Sequence, residues 1–231
     1  MCGRAYVTYS DDELYFQYLN RRAITTLEVA PIYNLCPTQD ALVLRQIHGG
    51  FQFEPMRWQL VPQWEPAFKT KLSTINARCE GIFASELYRN LVIRQRCVIP
   101  LSGFYEWKRA PSRNRPYKVY RHDGEIMSVG GVWDVWHPGR PDEHHSFSII
   151  TTPANNRIGT IHNRMPLILD RAGVEEWVDP EVQERDPLQR LMKPCPDSWL
   201  ETVEVSTLVN SPKNNSPEVL APLQAPLSQE R

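Results

Sequence analysis

The sequence predicts an α+β protein: a single domain around a curved, mostly antiparallel β-sheet or partial barrel, with a few flanking helices. Three observations lead there. Short apolar, β-rich runs recur along the chain, turn residues separate them, and no alternation of strand and helix calls for a parallel βαβ sheet. A length of 231 residues bounds the chain to one large domain or two small ones. With 41% hydrophobic and 23% charged residues it has the composition of a folded chain, not a disordered one.

The elements follow in order. Ser10-Asp11-Asp12-Glu13 is a capping-box pattern, and Leu14, Tyr15, Tyr18 and Leu19 after it suit a short amphipathic helix. Strands are expected at Ala41 to Ile47, Phe51 to Trp58, Leu91 to Ile99, Tyr117 to Tyr120, Ile126 to Trp136 and Ser146 to Thr152. His48-Gly49-Gly50 and His122-Asp123-Gly124 between them read as hairpin turns. Ala84 to Asn90 and Arg171 to Val178 are helix candidates, the second stopped by Asp179-Pro180. Four prolines after residue 210 (Pro212, Pro217, Pro222 and Pro226) divide the chain into a domain over 2–210 and a partly extended extension over 211–231.

Composition also narrows function. No run approaches the ~20 apolar residues of a membrane span, and the start of the chain lacks a signal-peptide layout. The expected setting is therefore intracellular: cytoplasm or nucleoid in a bacterium, nucleus in a eukaryote. Cys2, Cys36, Cys79, Cys97 and Cys195 are scattered without a C-x-x-C pair, and no histidine trio has ligand spacing. Neither a disulfide framework, nor a metal site, nor a cofactor is expected. The net charge of −1 hides an asymmetry, because residues 67–121 hold twelve Lys/Arg and three Asp/Glu. Such a segment either faces a polyanion or is neutralised by acidic segments across the fold.

Cys2 stands directly after Met1. Removal of Met1 would give it a free α-amine beside its thiol. An α-amine has a pKa of about 7.7–8.0, so a useful fraction is neutral near pH 7 and ready to attack an aldehyde. The thiol then closes on the imine carbon to form a five-membered thiazolidine. An incidental cysteine at this position is the alternative. Gly3 permits close backbone approach, and Arg4 could hold an anion.

Three further clusters carry polar groups. Asn76 and Arg78 share a face if Ser73 to Arg78 is a strand; they form either a nucleophile-orienting and phosphate-holding pair or a plain polar face. Glu106 lies between Tyr105 and Trp107, so it is either a desolvated acid/base or an edge-strand glutamate. His162, two residues before Arg164, is either a proton shuttle or a surface or core histidine.

Seven segments together resemble the SOS-response-associated peptidase family. They are Met1-Cys2-Gly3-Arg4, Tyr33-Asn34-Leu35-Cys36-Pro37, Trp58-Gln59-Leu60-Val61-Pro62-Gln63-Trp64, Asn76-Ala77-Arg78, Gly103-Phe104-Tyr105-Glu106-Trp107, Thr151-Thr152-Pro153-Ala154-Asn155 and His162-Asn163-Arg164-Met165-Pro166. They occur in family order. The resemblance implies a domain that recognises abasic sites in single-stranded DNA and traps them as a thiazolidine crosslink, with associated AP-lyase chemistry through a Schiff base. It implies that Cys2 is the nucleophile, that Asn76 positions its amine or the opened sugar, that Glu106 helps open the deoxyribose ring, and that His162 assists proton transfer and reversal. Arg4, Arg78, Thr151 and Arg164 would meet DNA, and Trp64 would stack near the lesion. The expected partner is abasic single-stranded DNA, bound by a monomer without metal or membrane. Gln59 stands where the family usually has glycine, so the backbone of that loop is expected to differ, and Pro153 beside Thr152 is expected to shift local geometry.

Three other readings compete. The family name implies a cysteine peptidase that processes its own start. The basic segment suits a non-covalent reader of single-stranded or modified DNA. A thiol hydrolase using Cys97 or Cys79 is the third.

Overall fold

Thirteen strands, several of them buried along their whole length, run among the residues that the computed structural model describes, which are 2–20, 27, 30–47 and 50–223. The chain opens with β1 (Ala5–Val7), α1 (Asp11–Leu19) and β2 (Ile32–Leu35), then the long pair β3 (Asp40–Ile47) and β4 (Gly50–Trp58). After a loop come β5 (Asn76–Arg78), α2 (Leu91–Arg94), β6 (Arg96–Leu101), β7 (Gly103–Lys108), β8 (Arg115–Arg121), β9 (Met127–Trp136) and β10 (His144–Pro153). The last elements are α3 (Asn156–Gly159), β11 (Arg164–Pro166), β12 (Ile168–Leu169), α4 (Arg171–Val178), α5 (Arg185–Leu191) and β13 (Leu200–Glu204).

Two sheets result. One has the order β13-β8-β7-β1-β2, all antiparallel. The other runs β11-β10-β4-β3-β6-β9-β12, with β5 added alongside β10. Pairing of β9 with β10 bends that sheet back on itself, yet β3 meets β6 only where Leu44 faces Val98. It is ring-like without being a closed barrel. The main core fills the space between the sheets, with Trp58, Phe104, Phe147 and Trp177 fully buried.

α1 starts as its capping box dictates: Ser10 accepts from the Glu13 amide, and Glu13 accepts from the Ser10 amide. α4 matches the expected Arg171 to Val178 helix and is capped by Asp170. The strands expected at Ala41 to Ile47 and Phe51 to Trp58 pair as anticipated, although His48 and Gly49 of their turn lie outside the described residues.

Three expectations are corrected. Leu91 to Ile99 is not one strand, because Leu91–Arg94 forms the short helix α2. Its closing carbonyls, Val92 and Ile93, are taken up by the buried Arg96 guanidinium. Ala84 to Asn90 forms successive turns, since Leu87 and Tyr88 are too few to make a buried helical stripe. The His122-Asp123-Gly124 turn joins two sheets rather than a hairpin: β8 pairs with β7 and β13, while β9 pairs with β6, β10 and β12.

The chain beyond residue 210 packs back onto the domain as far as residue 223. Val219 is fully buried in a second, smaller core with Tyr6, Tyr105, Val205 and Val209, and Val205 bridges to Pro222. Residues 224–231, with Pro226, lie outside the described residues.

Candidate functional site

The site forms where the start of the chain crosses between the two sheets. β1 pairs with β7 so that Ala5 faces Phe104 and Tyr6 faces Gly103, and the Tyr105 amide donates to the Arg4 carbonyl at 2.9 Å. The same register, carried further, sets Gly3 opposite Glu106 and Cys2 opposite Trp107. Gly103 permits this close packing, because a Cβ there would lie 2.3 Å from the Val119 carbonyl oxygen and 2.5 Å from the Tyr6 hydroxyl.

Asn76 comes from the other sheet. It opens β5, whose parallel pairing with β10 sets Asn76 beside Ile149 and Arg78 beside Thr151. Its Nδ2 donates to the Cys2 carbonyl oxygen at 2.8 Å, while its buried Oδ1 has no hydrogen-bond partner. The amide therefore ties the two sheets together at Cys2 and keeps one acceptor in reserve.

Cys2 is 0% exposed and Glu106 only 3%. Burial pushes the Cys2 thiol well above its ordinary range, and the nearby Glu106 carboxylate pushes it further. The thiol is thus protonated at neutral pH. His162 follows α3, which Asn155 caps by accepting from the Ile158 amide at 2.9 Å. That turn brings His162 Nδ1 to 4.0 Å from Glu106 Oε1. An unprotonated Nδ1 accepts from the Arg164 amide at 3.0 Å, and the Arg164 carbonyl lies 3.3 Å from the same atom. Cys2, Asn76, Glu106 and His162 accordingly meet at one place, from the segment before β1, from β5 and β7, and from the turn before β11.

The other sequence-predicted positions divide. Arg164 on β11 forks onto Glu80 and also donates to the Thr151 carbonyl at 2.6 Å. Thr151 itself is fully buried, so its backbone and hydroxyl hold Arg164 while presenting no surface. Arg78 is exposed beside them. Arg4 is half-buried: its Nη1 donates to Asn34 Oδ1 at 2.8 Å and to the Val209 carbonyl at 2.6 Å, and its guanidinium lies 5.8 Å from the centre of the Trp107 ring. Trp64 is 66% exposed on the loop between β4 and β5. That loop is pinned by Trp136 Nε1 to the Glu65 carbonyl at 2.9 Å and by Gln63 to Asp134 at 3.0 Å.

Sequence reasoning assigned no role to Glu80 or Asn34. Glu80 carries no local motif, and only the fold brings it to Arg164. Asn34 had a signal, since it sits inside the Tyr33-Asn34-Leu35-Cys36-Pro37 segment. Its side-chain amide donates to the carbonyls of Val209, Ser211 and Asn214.

The basic segment is partly spent on structure. Arg96 is buried on backbone carbonyls, Arg115 pairs with Glu204, and Arg121 pairs with Asp123. Among the described residues no group of His, Cys, Asp or Glu could hold a metal ion, and no helix is long and apolar enough to cross a membrane. A cavity of about 400 Å³ between α1 and α4, lined by Phe16, Tyr18 and Val174 among others, includes none of the site residues.

Comparison with known proteins agrees with this architecture. The family model described as SOS response associated peptidase matches residues 1–212. The chain is 33% identical over 221 residues to the abasic site processing protein YoqW of Bacillus subtilis, covering 95% of this chain and 99% of that one. It is 31% identical over 194 residues to the abasic site processing protein HMCES of Gallus gallus, covering 73% of this chain and 57% of that one. A solved structure from Bacteroides thetaiotaomicron shares the fold with a TM-score of 0.83 at 22% identity, over 96% of this chain and all of the other.

Proposed function

The chain belongs to the SOS response associated peptidase family, and from that premise we propose that it recognises abasic sites in single-stranded DNA and traps them covalently through Cys2. The observation that carries the reading is the Asn76 hydrogen bond to the Cys2 carbonyl at 2.8 Å, made beside the buried Glu106 and the half-buried His162. Curated relatives named as abasic site processing proteins support the substrate.

The chemistry runs in three steps. An abasic sugar is mostly a closed hemiacetal; Glu106, with His162 4.0 Å away, moves the proton that opens it to the aldehyde. Once Met1 is removed, the neutral α-amine of Cys2 attacks the aldehyde carbon, and loss of water gives an imine. Asn76 holds the Cys2 backbone and offers Oδ1 to the amine. The Cys2 thiol then adds across the C=N bond, its sulfur to carbon and its proton to nitrogen, to close the thiazolidine. Before closure the imine is open to β-elimination, which is the lyase side reaction.

A cysteine peptidase would need the opposite thiol. Its nucleophile is a thiolate stabilised by a partner cation, whereas with Met1 in place burial and Glu106 outweigh the opposing pull of the amino terminus on the Cys2 thiol. The monomer, acting on DNA in the cytoplasm or nucleoid, completes the proposal.

Intact-mass spectrometry before and after incubation with abasic single-stranded DNA tests it. The expected result is a protein lacking Met1 that gains the mass of one oligonucleotide less one water. A Met1-free protein that binds the strand but gains no mass would overturn the covalent reading in favour of a reader.

A further inference from the structure

The strand that bears Glu106 does not stop at the site. Carried on from the Ala5–Phe104 and Tyr6–Gly103 pairs, the register puts Cys2 level with Trp107, while the paired residues of β1 stop at Ala5 and β7 goes on. Lys108 then pairs with Arg115, and residues 109–114 close the β7–β8 hairpin. On the other side β13 ends at Glu204, opposite Tyr117. The hairpin is therefore an arm overhanging both neighbouring strands at the Cys2 end of the sheet. At ~3.3 Å per residue, its tip stands on the order of 15 Å beyond Cys2.

The arm is basic throughout. From Trp107 to Pro116 the sequence holds four Lys/Arg and no Asp or Glu. Lys108, Arg109 and Arg113 are exposed and form no ion pair among the described residues, while Arg115 is neutralised by Glu204. Pro111, Ser112 and Asn114 between them carry no charge and little apolar surface. Three unpaired cations on a two-stranded arm suit a flexible polyanion better than a folded partner, which would bring an apolar surface to meet.

We infer that Lys108, Arg109 and Arg113 form a second phosphate-binding element, gripping the DNA strand outside the lesion while Cys2 engages the abasic sugar. This rests on the proposed reading of the Cys2 site. At the ~3.4 Å per nucleotide of a stacked strand, the arm would reach phosphates up to about four or five nucleotides away, and fewer on an extended strand. It supplies affinity and leaves the chemistry alone.

The test is salt-dependent binding of undamaged single strands of 4 and 20 nucleotides, compared for the unmodified protein and the triple variant Lys108→Gln, Arg109→Gln, Arg113→Gln. Three lost contacts at about 0.7 each should lower the slope of log affinity against log salt by about 2 on the 20-mer. Affinity near 0.1 M salt should fall about tenfold or more on the 20-mer, with little change on the 4-mer. A control replacing the exposed Arg140, Arg190 and Lys193 by glutamine should keep the slope. An unchanged slope on the 20-mer, an equal loss on the 4-mer, or an equal effect of the control would overturn the inference. Because the DNA is undamaged, failure to crosslink abasic DNA would count against the Cys2 reading and leave this result standing. With abasic 20-mer, the variant's crosslinking rate should drop at low DNA concentration and recover at saturation.

Discussion

Arg4 and Asn34 form a hinge pin between the two ends of the chain: Arg4 Nη1 donates to Asn34 Oδ1 at 2.8 Å, and both side chains also donate to the Val209 carbonyl. The segment beyond β13 thereby grips the strand that delivers Cys2. Asn34→Ala would strip partners from three buried or half-buried carbonyls and from Arg4. It should cost about 2–3 kcal/mol and lower the midpoint of thermal unfolding. Crosslinking should slow as the start of β1 loosens.

Cys2→Ala keeps the amine and removes the thiol. Provided Met1 is still removed, the imine forms and cannot close, so strand cleavage should replace trapping. Denaturing gels of abasic DNA distinguish the two: cleaved strand without adduct is the expected pattern, and a persistent adduct would refute the thiazolidine.

How far the site was legible depended on whether its geometry is local. Glu106 stands between two aromatic residues, and the capping box of α1 is read from four consecutive residues, so those stood out in the sequence, whereas the close packing at Gly103 did not. The meeting of Asn76 with Cys2 spans 74 positions and two sheets; spacing says nothing about it, and only the family resemblance brought the two together. The Glu80–Arg164 fork, 84 positions apart, had no signal at all. Composition overcounted the DNA face for a related reason, since Arg96 has the same letter as Arg78 but is buried on backbone carbonyls. The failed hairpin after β8 shows that turn residues mark a reversal without naming the strand that will pair.

Glu80 restrains a cation that the proposed DNA face needs. Its carboxyl is held below the usual range chiefly by the hydrogen bonds from Arg164, yet its side chain is 51% exposed, so solvent screens the pair. Glu80→Gln should therefore change stability by no more than about 1 kcal/mol. Single-stranded DNA affinity should rise about two- to fivefold at low salt, through loss of a negative charge beside phosphate, and the gain should vanish at high salt. Fluorescence anisotropy over a salt series measures both.

Alkaline stability should be limited by buried thiols. Burial raises the Cys195 thiol from 9.0 to about 12, despite the opposing influence of Arg121. A group whose folded pKa is raised releases its proton first in the unfolded chain. Its contribution is therefore intact below pH 9.0 and is lost as pH climbs toward about 12, by up to about 1.4 kcal/mol per pH unit. Cys195→Ala should flatten the fall of unfolding free energy over that window while lowering stability at pH 7. Urea titrations at several pH values would reveal a parallel curve if the thiol did not contribute.

Gln59, which the family resemblance expects to stand in place of a glycine, has a backbone φ of +119°, a region that L side chains rarely adopt. Its amide still donates to the Phe147 carbonyl at 3.1 Å, which fixes the conformation at the start of the Trp64 loop. Holding a side chain there costs about 1–3 kcal/mol. Glycine would relieve that strain, at an entropic cost of about 0.5–1 kcal/mol in the unfolded chain. The side-chain hydrogen bond given up among the described residues is a long one to the Leu72 carbonyl, at 3.4 Å and exposed. The gain exceeds the cost, so Gln59→Gly should stabilise by about 1 kcal/mol and raise the unfolding midpoint by about 2–4 °C. A lowered midpoint would mean that the Gln59 side chain secures the loop more than its backbone strains it.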